Sequence, residues 1–321
     1  MINNARMVSK DSKHSIFYVL IDMSKCILKD NIGYMEYNLF NFVDKPDNLR
    51  KTYLDFNHSQ ALFNMLNDRN YTGIFSDKLK FNERFKDYIG REFIDAAHCS
   101  LQEFKEYIKG KNKIFCKPTD SCSGKGIYKS IDIDENTDIE QLHKFMIDNN
   151  LFCEDCIEQH SDMNKLSKHS INTIRVVTIL SDNEVIDLYE ILRVGIGKSK
   201  VDNVASGGIY TVLSKDGVIV NPMWSDKTIT TYTVHPTNGF EMIGFNIPYF
   251  KEAVELCKKA AKVEPHVRYV GWDVAISPNG PVIVEGNELP GYDMAQNHHV
   301  SGSDSGLLPE IEKIVGKIKI N

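Results

Sequence analysis

Beyond position 170 the apolar residues fall into short β-branched runs separated by turn residues. This rhythm predicts strands over 171–180, 184–194, 209–213, 269–276 and 282–288. Upstream, the spacing is helical. Ser100 and Glu103 form a capping box, hydroxyl and carboxylate satisfying each other's orphan amides, and Gly110 stops the helix that follows. Thr137 and Glu140 give a second box, followed by Leu142, Phe145 and Met146 on one face. Between them Lys113–Pro118 reads as a short strand ended by proline. A third helix, 251–263, carries Val254, Cys257 and Ala261 on one stripe. Trp224 and the threonine-rich stretch 228–233 read as a packed strand or its flanking loop, and 311–320 as a docking helix. The first 75 or so residues are less patterned and read as a separate entry lobe. Helices and strands mixed without strict βαβ alternation predict α+β lobes rather than one doubly wound sheet.

Length and charge narrow the function. The 321 residues exceed one small core and suit two or three compact lobes. There are 38 Lys and Arg against 44 Asp and Glu, a formal net charge of −6, which argues against nucleic acid as a partner. No apolar run reaches the ~20 residues of a bilayer span. The best candidate, 16–28, is broken by Asp22 and Lys25 and lacks a signal peptide's basic flank and cleavage site. A cytoplasmic protein without a transmembrane segment is expected. The seven cysteines follow no disulfide rhythm. Cys153 and Cys156 form a lone CxxC without a second pair or histidines at finger spacing, so reduced, partly buried thiols are expected.

Two segments carry candidate chemistry. In 271–287, Pro278-Asn279-Gly280 suits a three-residue hairpin loop that pairs Ser277 with Pro281 and sets Asp273 opposite Glu285. Strand alternation then puts Asn287 on the same face, and Val270, Trp272, Val274, Val282 and Val284 on the other. Two carboxylates and an amide oxygen suit Mg²⁺, although a solvated hairpin face has the same pattern. Gly286, between Glu285 and Asn287, is expected to let a ligand approach the backbone. The second segment starts at Lys117, a strand-end lysine before the small residues that lead to Ser123, Gly124, Lys125 and Gly126. Such a loop wraps its amides around phosphate oxygens while the lysine supplies a point charge. It is neither a Walker A loop nor GxGxxG, and taken alone it fits a plain surface turn better. His160, His298 and His299 read as surface or core histidines.

A Lys-Pro strand, a glycine loop, an acidic strand end and a Glu-Gly-Asn hairpin, in this order, resemble the ATP-grasp superfamily over roughly residues 77–296. Tyr88-Ile-Gly-Arg91, Asn172-Thr-Ile-Arg-Val-Val-Thr178, His235-Pro236 and Gly271-Trp-Asp273 resemble its sugar-transfer-associated, α-L-glutamate-ligase-related subfamily. The resemblance implies an α+β fold clamping ATP: an N-terminal lobe over 1–76, a lid and central subdomain over 77–160, and a C-terminal subdomain with the magnesium site over 161–321. It also implies roles. Lys78 and Lys117 become phosphate lysines, Ser123, Gly124, Lys125 and Gly126 the lid, Glu154 and Ile157 the adenine edge, and Asp162 a ribose ligand. Asp273, Glu285 and Asn287 become the magnesium triad. Arg193, Asn203, Gly207 and Gly208 resemble an Arg…Asn…Gly-Gly signature of amino-acid-adding ligases, Arg193 being catalytic and the other three substrate contacts. Arg175, on the strand face of Thr173 and Val177, is expected to join the catalytic site as a substrate or phosphate contact.

The implied activity is ADP-forming carboxylate–amine ligation through an acyl phosphate, in cell-surface polysaccharide synthesis or modification. Its substrates would be a small-molecule or saccharide carboxylate, such as a uronic acid, and an amine. The alternatives are a kinase of the same fold acting on a sugar-type hydroxyl, and a nucleotide-binding regulator without turnover.

Overall fold

The structure, a computed structural model, describes residues 1–118, 129–182, 184–199 and 201–320. Among the described residues the chain opens on helices: α1 (Ile2–Asp11), α2 (Ile16–Asp30), α3 (Tyr34–Leu39), α4 (Asp47–Arg50), α5 (Phe56–Leu66), α6 (Arg69–Ser76) and α7 (Lys78–Arg84). Strands β1 (Phe93–Ile94), β2 (Lys113–Pro118), β3 (Lys129–Asp132) and β4 (Leu151–Asp155) then build an antiparallel sheet in the order β1-β4-β2-β3. It is backed by α8 (Leu101–Ile108) and α9 (Ile139–Asp148), whose Phe104 and Met146 are fully buried. Ser100 and Glu103 form the expected capping box. The second box differs: Asp138 caps α9 by accepting from Gln141, while Thr137 turns back to Asp134. Aspartate is as good a cap as threonine, so the start moves one residue.

After α10 (Met163–Leu166) comes a seven-stranded antiparallel sheet. Its strands are β5 (Thr173–Ser181), β6 (Glu184–Val194), β7 (Ile209–Val212), β8 (Met223–Ser225), β9 (Thr230–Tyr232), β10 (Tyr269–Ser277) and β11 (Gly280–Asn287), in the order β11-β10-β5-β6-β7-β8-β9. Trp224 lies in β8, 4% exposed and stacked on His299. Helices α11 (Phe250–Ala260), α12 (His298–Ser301) and α13 (Leu308–Val315) complete the chain. The expected docking helix over 311–320 is α13, which starts earlier and ends at Gly316, φ +81°.

Alternation gives this sheet two faces. One packs Ile174, Val176, Trp272, Val274 and Ile283 against α6, α7 and α11. Phe75, Phe81 and Phe85 crowd around Trp272, whose indole N–H donates to Thr178 at 2.9 Å. The other face joins Val177, Ile179, Tyr210 and Tyr269 to the N-terminal helices in a second core. Beyond that core, on the same face, lie the charged residues of the site.

The hairpin reaches the expected pairing by a different route. Ser277 pairs with Gly280, not Pro281, because its hydroxyl donates to the Gly280 carbonyl at 2.8 Å and closes a two-residue loop. The register recovers through a bulge between Ile283 and Glu285, so Asp273 does stand opposite Glu285 and Gly271 opposite Asn287. On the core face it is therefore Ile283 that buries, while Val282 and Val284 are half-buried. Gly286 also has another reason. A Cβ there would meet Phe81 at 2.8 Å and Phe75 at 2.9 Å, so the glycine admits α6 and α7 to the core rather than a ligand to the backbone.

Candidate functional site

The charged face is organised by Asp273, 1% exposed on β10. Its register partner on β5 is Arg175, which grips it with two nitrogens, Nε to Oδ1 at 2.5 Å and a terminal nitrogen to Oδ2 at 2.9 Å. The arginine stem crosses Gly271, where a Cβ would come within 2.9 Å of Arg175 Cδ. Arg193 on β6 reaches the same Oδ2 at 2.6 Å and donates to Thr173 Oγ1 at 2.8 Å. Burial opposes a charge on Asp273, but the two guanidinium groups outweigh it and hold its carboxyl far below the ordinary carboxylate range.

Asp202 closes this cluster, accepting from the Thr173 backbone at 2.8 Å and hydroxyl at 2.5 Å. Burial raises its carboxyl and Arg193 works against that rise. Asn203, Gly207 and Gly208 build the turn that presents Asp202. Asn203 caps the turn through Ala205, Gly207 takes φ +98°, and a Cβ on Gly208 would lie 2.2 Å from the Asp202 carbonyl.

Glu285 is the register partner of Asp273 across β10 and β11, and the two carboxyls influence each other. Although the side chain reaches the surface, enclosure of the carboxyl and then the Asp273 charge hold it above its ordinary value. Asn287 donates its amide nitrogen to the Gly271 carbonyl at 3.4 Å, a bond that does not use its oxygen. Among the described residues no third Asp, Glu, His or Cys joins the two carboxylates as a metal group. Arg175 and Arg193 balance the charge of Asp273 and engage both of its oxygens, so among the described residues Glu285 is the carboxylate whose oxygens no guanidinium takes up and which a hard cation would meet. The donor set fits Mg²⁺, which takes one or two carboxylates and fills its remaining positions with water and phosphate.

On the four-stranded sheet, Glu154 of β4 is 3% exposed. It forms an ion pair with Lys117 of β2 and accepts from Arg91 at 3.0 Å and Asn82 at 3.1 Å. Burial disfavours its charge, yet Lys117 and Arg91 prevail and hold the carboxyl at about 2. Lys78 is the first residue of α7, whose Phe81 abuts Gly286 of β11. Ile157 follows β4, half-buried. Asp162 precedes α10 and pairs with Lys165 at 2.7 Å. Ser123, Gly124, Lys125 and Gly126 lie outside the described residues.

The sequence reading assigned no role to Arg91, Asn82, Thr173 or Asp202. Arg91 and Thr173 lie within the motifs 88–91 and 172–178, the one sequence signal for them; Asn82 and Asp202 have none.

A profile of the family described as sugar-transfer associated ATP-grasp matches residues 57–314. Solved structures to which the chain is similar include the ATP-grasp ligase PsnB complexed with a minimal precursor, at 12% identity and TM-score 0.43, covering 78% of this chain and 63% of that one. D-alanine–D-alanine ligase from Bacillus anthracis complexed with ATP is 15% identical at TM-score 0.42, covering 76% and 62%. The same ligase from Coxiella burnetii is 10% identical at TM-score 0.45, covering 82% and 65%. The chain thus spans less than two thirds of each of these structures. No curated protein matches the sequence.

Proposed function

The chain belongs to the sugar-transfer associated ATP-grasp family, and from that premise we propose that it is an ADP-forming ligase joining a carboxylate to an amine. The observation that carries the reading is the register pairing of Asp273 with Glu285 beside two buried arginines, a site with carboxylates for a cation and guanidinium charge for phosphoryl oxygens. Asp273, Glu285 and Asn287 would hold Mg²⁺, which when bound would neutralise charge on the nucleotide phosphates.

The chain's own residues do the rest. Lys117 and Lys78 supply point charges for the phosphates, Glu154 holding Lys117 in place until nucleotide competes for it. Glu154 and Ile157 border the adenine, and Asp162 and the 123–126 loop complete the nucleotide site. Arg193 carries its charge where the phosphoryl group crosses to the substrate carboxylate, and Arg175 keeps Asp273 ionised and oriented. Asn203, Gly207 and Gly208 shape the substrate side through Asp202. The acyl phosphate then meets an amine, forming an amide and releasing phosphate. No covalent nucleophile is required, because positioning and charge neutralisation supply the catalysis. We extend the reading to a saccharide carboxylate such as a uronic acid, in polysaccharide synthesis or modification; the family description itself speaks only of an association with sugar transfer. The proposed division is 1–76, 77–160 and 161–321, with the nucleotide between the two sheets; the 1–76 segment is no free-standing lobe, since its helices share a core with the seven-stranded sheet.

Hydroxylamine in place of the amine tests the reaction. ADP with a trapped hydroxamate is expected, and Arg193→Ala should suppress trapping more than it weakens ATP binding. AMP as product overturns the mechanism, and ADP with a stable phosphorylated hydroxyl makes the protein a kinase.

A further inference from the structure

The apolar run 16–28 folds as α2, and the fold uses only one side of it. Val19, Met23 and Cys26 are buried. The opposite side presents Phe17, Ile21 and Leu28, 75%, 58% and 87% exposed, the three most exposed large apolar side chains among the described residues. Positions i, i+4 and i+11 fall within about 40° of arc on a helix, so they form one strip about 16 Å long. Ser24 lies in the same line with its hydroxyl already donated to the Leu20 carbonyl at 2.8 Å. Exposed Tyr18, Lys25 and Lys29 flank the strip on one side.

The charge around the strip runs against that of the whole chain. Residues 1–30 hold five Lys and Arg against three Asp, while the full sequence carries −6. One of those three, Asp22, is taken up by Arg50 at 2.7 Å. An apolar strip with phenylalanine and leucine along it, tyrosine and lysines on its flank, is the pattern of a helix lying in the plane of a bilayer interface. It does not span: no helix among the described residues is long and apolar enough to cross a membrane. A second copy is the poorer occupant, since a strip of three side chains falls far short of the ~800 Å² per partner of a stable interface.

We propose that this face of α2 docks the protein onto an anionic lipid surface, Phe17, Ile21 and Leu28 entering the acyl boundary while Lys25 and Lys29 meet phosphate headgroups. Co-sedimentation of the full chain with vesicles tests this. Binding to phosphatidylcholine vesicles containing phosphatidylglycerol is expected, with little binding to phosphatidylcholine alone and weakening as salt rises. The triple variant Phe17→Ser, Ile21→Ser, Leu28→Ser should lower partitioning on the order of 100-fold, and Lys25→Glu with Lys29→Glu should remove the preference for anionic lipid. These side chains are exposed, so circular dichroism and ATP affinity should stay as in the parent. Failure of the parent chain to bind the anionic vesicles, or equal binding by the triple variant, overturns the proposal. So does a dimer in light scattering that the triple variant abolishes, which would give the face to a second copy.

Discussion

Arg91 and Glu154 form a buried ion pair, Nε to Oε2 at 3.0 Å, and the other nitrogens of the same guanidinium hold the bulge of β11. They donate to the Ile283 carbonyl at 2.7 Å and the Val284 carbonyl at 3.1 Å. Ile283 N donates to Tyr88 O at 3.0 Å, so residues 88–91 cover the edge of β11 where its register shifts. One side chain thereby ties the strand carrying Glu154 to the bulge that places Glu285.

Arg91→Ala should therefore destabilise the fold by about 3–5 kcal/mol, the scale of breaking a buried pair. Arg91→Lys keeps a charge for Glu154 but lacks the fork that reaches the carbonyls, so it should fall between the two. Urea unfolding measures both. A lysine variant as stable as the parent would show that the bulge contacts carry no weight.

Glu154 links this pair to acid stability. Its carboxyl, held at about 2 against 4.5 in an unperturbed group, favours the folded state once ionised. The contribution is complete above about pH 4.5 and is lost as pH falls toward 2. Glu154→Gln should flatten the urea midpoint between pH 5 and 3, and an unchanged slope would place the acid-sensitive group elsewhere.

Glu190 has the opposite sign. Burial, then Asp187 beside it, pushes its carboxyl up to about 7, so the folded chain prefers it protonated. Its stabilising contribution is present below about pH 4.5 and lost as pH rises through 7. Glu190→Gln should raise stability at pH 8 by on the order of 1–2 kcal/mol and leave it little changed at pH 4. A loss at pH 8 would show that the ionised group is held by Lys258, which pairs with Asp187 at 2.6 Å.

Local pattern made part of this legible. Alternation alone put Asp273 and Glu285 on one face, and it survived a wrong loop length because the bulge added back the residue the turn removed. The bulge was hidden because Pro278-Asn279-Gly280 fits both loops, and a hydroxyl at Ser277 chooses between them. Gly286 was misread because its reason lies some 200 residues upstream in Phe75 and Phe81. The N-terminal helices were opaque for a related cause: their buried faces are set by strands far along the chain, such as those carrying Tyr210 and Tyr269. Asp202 and Arg91 are charges recruited into the interior by distant partners; the motif 88–91 is a local signal for Arg91, and Asp202 has none.

The two carboxylates of the site should respond differently to neutralisation, although each is proposed to hold the same cation. Glu285 pairs with the negative Asp273, and burial and then that charge raise its carboxyl. Glu285→Gln removes a repelling charge, so the fold should keep or gain stability while turnover falls on the order of 10²–10⁴-fold. Asp273 instead neutralises Arg175 and Arg193 inside the protein. Asp273→Asn should abolish turnover and also cost about 3–5 kcal/mol, because two buried guanidinium groups lose their carboxylate. Calorimetry separates the metal role from the structural one. With Glu285→Gln, the gain in ATP affinity on adding Mg²⁺ should shrink, while affinity in EDTA stays near that of the parent. Normal turnover by Glu285→Gln at ordinary Mg²⁺, or an unchanged Mg²⁺ effect on ATP affinity, would remove the cation from this pair and leave Asp273 a purely structural anchor for the arginines.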